Sequence, residues 1–83
     1  MKLFDFLKLS EEEQYIATWK IGAHVDLYLK DNIAIELYAL NTFYVEIYYE
    51  RNTAERLYKK MFKQGELLDK YLDRIHLKTN YSF

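Results

Sequence analysis

The residues with chemistry to offer in this sequence are three carboxylates ten positions apart, nine tyrosines, and a short basic run. Asp26, Glu36 and Glu46 fall in three successive segments that alternate apolar and polar residues. If those segments are adjacent antiparallel strands joined by three-residue loops, the three acids line up in one row across the sheet. Tyr38, Tyr44 and His24 then lie to one side of the row, with Tyr28 and Tyr48 to the other. Like charges directly opposed on a sheet are unfavourable by a few tenths to about 1 kcal/mol per pair. Such a row invites a cation: Lys60 or Arg56 of a fourth strand, the Arg51/Arg56/Lys59/Lys60/Lys63 segment of another copy, or an external hard ion. The plain alternative is a solvated acidic face, with tyrosines that pack under a helix and reach water with their hydroxyls.

Catalysis finds little support. His24 and His76 are the only imidazoles and lie in different segments; cysteine is absent; Ser10 is placed to cap a helix. Gly22 and Gly65 stand alone, so there is no glycine-rich phosphate loop. Glu36 and Glu46 could share a proton as neighbours. An open sheet of this size, however, offers no deep dry pocket. The expectation is a protein that is not an enzyme, with no cofactor and no resident metal.

Bulk properties narrow the class further. Eighty-three residues make one domain, with residues 77–83 peripheral, and so short a chain buries a modest core. Without cysteine, neither disulfides nor a thiolate metal site can staple it. Aromatic residues at 18% supply burial instead, and a partner subunit is the other obvious source of stability. A formal charge of −1 argues against a dedicated nucleic-acid binder. The charge is unevenly spread: residues 1–50 carry four Lys/Arg against nine Asp/Glu, and residues 51–83 carry eight against four. Acidic and basic surfaces could therefore meet, within one chain or between two copies. The opening MKLFDFLKL is interrupted by Asp5 and Lys8 and does not read as a secretory signal. No apolar run approaches a membrane span, so the expected setting is cytoplasmic.

The elements that must position these groups follow in order. Leu3, Phe4, Phe6 and Leu7 pack an N-terminal arm, helical or extended. Ser10 and Glu13 form a capping box that predicts a helix from about Glu11 to Lys20, with Ile16 and Trp19 inward and Gly22 as its stop. Strands follow over Ala23–Leu29 and, within Ile33–Tyr49, on either side of Asn41-Thr42. Same-face pairing of Leu29 with Ile33 and of Ala39 with Phe43 requires three-residue loops. The segment Thr53–Lys63 fits helical spacing through Ala54, Leu57, Tyr58, Met61 and Phe62, and it also reads as a fourth strand. Leu68, Tyr71, Leu72 and Ile75 predict a closing helix.

The capped LSEEEQYIATWK, the row LYALNTFYVEIYYE and the closing LLDKYLDRI together resemble a set of small uncharacterised proteins of Bacteroidetes and their mobile elements. That set shows a capped helix ending near a tryptophan, a core of the type LYSLGDFYVEV-Y, a basic strand and a closing helix. The resemblance covers most of residues 3–77 and is most specific from Leu37 to Tyr49. It implies a strand over Glu55–Phe62, although Arg56, Tyr58 and Lys59 depart from its alternating pattern. It implies a mobile-element setting and carries no catalytic residues.

The resulting expectation is an α+β domain. A capped N-terminal helix leads into an antiparallel meander of three strands, or four if Thr53–Lys63 is extended, and a C-terminal helix packs on one sheet face. The helices cover the Val25/Ile35/Val45 face. The function expected is that of a small interaction protein, a homodimer or a binder of another protein. Its partner-binding residues are Asp26, Glu36, Glu46, Tyr28, Tyr38, Tyr44, Tyr48 and Lys60. The alternatives are a module that closes tyrosines and basic residues of two subunits over a small nucleotide-like anion, and a nucleic-acid accessory protein working through residues 51–63.

Overall fold

The computed structural model describes residues 1–63; the expected closing helix and the tail after it lie outside the described residues. Two helices, α1 (Leu3–Leu7) and α2 (Glu11–Ile21), precede four strands: β1 (Ala23–Lys30), β2 (Ile33–Leu40), β3 (Phe43–Glu50) and β4 (Arg56–Lys63). The strands form one antiparallel sheet in the order β1-β2-β3-β4, a simple meander. This is an α+β arrangement with four strands.

The capping box forms as its residues dictate. Glu13 donates its backbone N–H to Ser10 Oγ at 3.2 Å, and Ser10 N–H donates to Glu13 Oε1 at 2.9 Å. Those two bonds hold the Glu13 carboxyl below its usual range. Gly22 ends α2 in extended backbone, φ −78° and ψ 144°, so positive φ is not the reason for glycine. The reason is space: a Cβ there would collide with the Thr18 carbonyl oxygen and lie 2.9 Å from Leu40 Cδ1.

The inward face of α2 differs from the expected one. Gln14, Tyr15 and Thr18 are buried, while Ile16 and Trp19 are 43% and 44% exposed. The buried polar groups are satisfied locally: Gln14 Nε2 donates to the Phe6 carbonyl at 3.1 Å, and Thr18 Oγ1 to the Gln14 carbonyl at 2.8 Å. Gln14 thereby ties α2 to the short α1, whose Phe6 is fully buried. Hydrogen-bonded polar groups can occupy such inward positions at little cost.

The loops between the first three strands have two residues each, and this corrects the expected register. Lys30 pairs with Ile33 and Leu40 with Phe43. Asp31 (φ 54°) and Asn41 (φ 60°) take the left-handed conformation that tight two-residue hairpin loops need, one residue earlier than a three-residue loop would place it. The change of one residue reverses the phase of each strand against its neighbour. Ile33, Ile35 and Leu37 therefore share a face with Tyr44, Glu46 and Tyr48, not with Val45.

Both faces of the sheet are consequently buried over β3. On one face, α1 and α2 cover Leu40, Phe43, Val45 and Ile47, with Phe6 and Tyr15 packed among them. On the other, Ile35, Leu37 and Tyr48 form a second cluster bordered by Val25, Tyr28, Tyr44 and Phe62. Ile35 and Val45 thus lie on opposite faces, contrary to the expectation that one helical layer covers both. Each fully buried side chain of this size contributes roughly 1.5–3 kcal/mol. The segment that fits helical spacing is β4: pairing with β3 from Phe43↔Lys63 to Tyr49↔Arg56 overrides its local preference.

Candidate interaction surface

The expected row of carboxylates does not form. Asp26 stands opposite Leu37, and Glu36 opposite Ile47, because the two-residue loops shift the pairs by one from Asp26 to Lys30 in β1 and throughout β2–β3; a bulge at Val25 leaves His24 opposite Tyr38. Six of the eight expected partner residues share the face away from the helices: Asp26, Tyr28, Tyr44, Glu46, Tyr48 and Lys60. Glu36 and Tyr38 point the other way. Asp26 (8% exposed), Glu46 (0%) and Tyr48 (7%) are buried within the chain and do not present a surface to a partner.

Three pairings on that face are specific. Lys60, one of the two β4 cations considered for the acids, lies directly across from Glu46, and its ammonium sits 5.4 Å from the Tyr48 ring centroid and 6.0 Å from that of Tyr58. Tyr48 stacks on Tyr58 with centroids 4.4 Å apart, and Tyr44 on Phe62 at 5.4 Å. Tyr48 donates its hydroxyl to Glu46 Oε1 at 3.2 Å. Burial, then the charge of Glu46, pushes the Tyr48 hydroxyl well above its usual range.

On the helix side, Tyr38 donates to Glu36 Oε2 at 2.9 Å, and His24 Nε2 lies 4.0 Å from Glu36 Oε1 with its ring edge-on to Tyr38. Burial and this hydrogen bond push the Tyr38 hydroxyl up as well. Further along the same face, the start of β4 is clamped to α2. Arg56 pairs with Glu12 at 3.0 Å and lies 3.9 Å over the Tyr15 ring; Lys59 reaches Glu11 at 3.7 Å and lies 4.4 Å from the same ring. The Lys59 side chain is only 6% exposed, so its methylenes count as core and its ammonium is held by Glu11 and the ring. These contacts use Arg56 and Lys59 within the chain.

Among the described residues, α1 and α2 leave one part of their own face uncovered. Leu27 and Leu29 of β1 are 40% and 48% exposed there. Their rows continue through Glu36 and Ala34 of β2, and Ala34 lies across from Tyr49 of β3. Leu27, Ala34, Glu36 and Tyr49 line an open cleft of about 240 Å³, closed at one end by Glu50, Arg51 and Ala54. Burial, then the charge of Glu36, pushes the Tyr49 hydroxyl up. Leu27 and Leu29 carried a readable signal, the apolar phase of β1. It was hidden because the expected register placed them beneath a helix.

Among the described residues, no group of three or more His, Cys, Asp or Glu side chains is placed to hold a metal ion, and no helix is long and apolar enough to cross a membrane. No family model, curated protein or solved structure matches the chain.

Proposed function

We propose that this chain is a non-enzymatic interaction protein whose docking surface is the uncovered part of the helix-side face. The observation that carries the reading is the exposure of Leu27 and Leu29 beside the Ala34–Tyr49 cleft, on the face whose other half is dry core. Isolated exposed leucines are ordinary; two on one strand, continuous with an apolar floor and rimmed by charge, mark an interface. Selection of amphipathic peptides against the native chain, with counter-selection against Leu29→Glu, tests it. Binders that depend on Leu29 and shift the amide signals of Leu29, Ala34 and Tyr49 are the expected result. A selection that enriches nothing Leu29-dependent sinks the reading.

A second reading has its own observation. Tyr58 is 45% exposed, stacked on Tyr48, with the Lys60 ammonium near both rings. A planar anion of the nucleotide class could stack on the outer ring and meet the lysine. A thermal-shift series with mononucleotides tests it: saturation at one hundred times the dissociation constant adds about 2.7 kcal/mol. No shift at millimolar nucleotide removes it.

A further inference from the structure

We infer that the occupant of the uncovered face is a second copy of this chain, docked about a two-fold axis; this rests on the interaction reading above and names its partner. The rim of the cleft carries both signs of charge. Glu36 and Glu50 flank the Ala34–Tyr49 pair from opposite sides, Glu36 beside Ile47 and Glu50 beside Ile33, and Arg51 follows Glu50 at the end. Arg51 is exposed and makes no ion pair with a carboxylate among the described residues; its guanidinium reaches only the Asp31 carbonyl, at 3.4 Å. The other two cations that extend from this end of β4 onto the helix side, Arg56 and Lys59, are already held by Glu12 and Glu11.

An interface about a two-fold axis places the same patch on both copies, so every contact is made twice. Leu27 and Leu29 of one copy then cover Ala34 and Tyr49 of the other, and Arg51 of each meets Glu36 or Glu50 of its partner. A patch with an apolar centre and a mixed-charge rim is complementary to itself. A partner of one dominant charge would leave part of that rim opposed by like charge.

Sedimentation and light scattering of the native chain, from micromolar to submillimolar concentration, read the result. The expected outcome is a dimer, and a monomer for Leu29→Glu with unchanged far-ultraviolet circular dichroism. Arg51→Glu weakens the dimer by about tenfold or more, and mixing it with a Glu50→Arg chain restores association, because each rim pair then has opposite signs again. Amide shifts of the native chain on dilution, which need no variant to fold, are expected at Leu27–Leu29, Ala34–Glu36 and Tyr49–Ala54. A native monomer throughout the range overturns the second-copy assignment, as does a dimer whose dilution shifts map to Tyr58 and Lys60. A native monomer that still captures Leu29-dependent peptides removes the second copy and leaves the interaction reading standing. One that captures none removes both.

Discussion

The sheet carries the same three-residue unit twice, pointing opposite ways: Glu36-Leu37-Tyr38 on β2 and Glu46-Ile47-Tyr48 on β3. In each, the tyrosine donates its hydroxyl to the glutamate two residues earlier, at 2.9 Å and 3.2 Å. Their surroundings differ. The Glu36 side chain is 32% exposed, beside His24 on the thinly covered part of the helix side, whereas Glu46 is fully buried opposite Lys60. A local pattern therefore sets the internal hydrogen bond, and register together with cover sets what that bond is worth.

Variants on the two faces can break or sharpen this contrast. The largest effects belong to the apolar centres. Phe43→Ala on the helix side should cost about 3–5 kcal/mol, and Leu37→Ala on the other face about 2–5 kcal/mol. Urea unfolding followed by Trp19 fluorescence and by circular dichroism reads both. A Leu37→Ala cost below about 1 kcal/mol would show that the second cluster is not a core at all.

Next come the two acids. Glu46→Ala strips the buried Tyr48 hydroxyl of its acceptor, at about 1–3 kcal/mol, while Glu36→Ala stays within about 1 kcal/mol because water replaces the lost group. Equal costs in the same urea titrations would erase the contrast. On the helix side alone, Gly22→Ala forces a methyl against the Thr18 carbonyl and Leu40, at about 1–3 kcal/mol of overpacking. An unchanged midpoint would mean that α2 shifts freely on the sheet.

The smallest effect is alkaline. Both tyrosines hold their protons more tightly in the folded chain than in the unfolded one, where the hydroxyl titrates near about 10. Above that pH the unfolded state releases protons first, so folding stability is full below it and falls as pH rises. Tyr38→Phe and Tyr48→Phe should each flatten the decline in midpoint temperature between neutral and strongly alkaline buffer. If only one does so, the two units are not equivalent even in their internal bond.

Much of the fold was legible from residue types. Ser10 and Glu13 marked the start of α2, Gly22 its end, and the β-branched and aromatic runs the three strands. What could not be read was phase. Residues 33–49 carry apolar or tyrosine side chains in both alternating sets, because β3 is buried on both sides, and tyrosine suits a core and a surface equally. Asp31 and Asn32 are both residues that accept positive φ, so the loop could be closed at either. The Thr53–Lys63 segment had helical spacing because its apolar residues serve two sheet faces, a pattern that mimics a helical stripe. For the site, the sequence offered two cations for Glu46 from a fourth strand, Lys60 or Arg56, and the register puts Lys60 there and Arg56 opposite Tyr49. The carboxylate row, which hung on loop length, did not come through. The exposed Leu27 and Leu29 could be recognised only after the phase was known.

The hairpin tips at Asp31-Asn32 and Asn41-Thr42 work as odd–even counters. Adding or deleting a single residue at either tip would turn the strands before it inside out relative to those after it, moving leucines to where carboxylates now sit. Changes of two residues would leave each side chain on its present side. Loop length in this meander thus governs composition as strictly as the core does, and an engineer lengthening these tips should work in pairs.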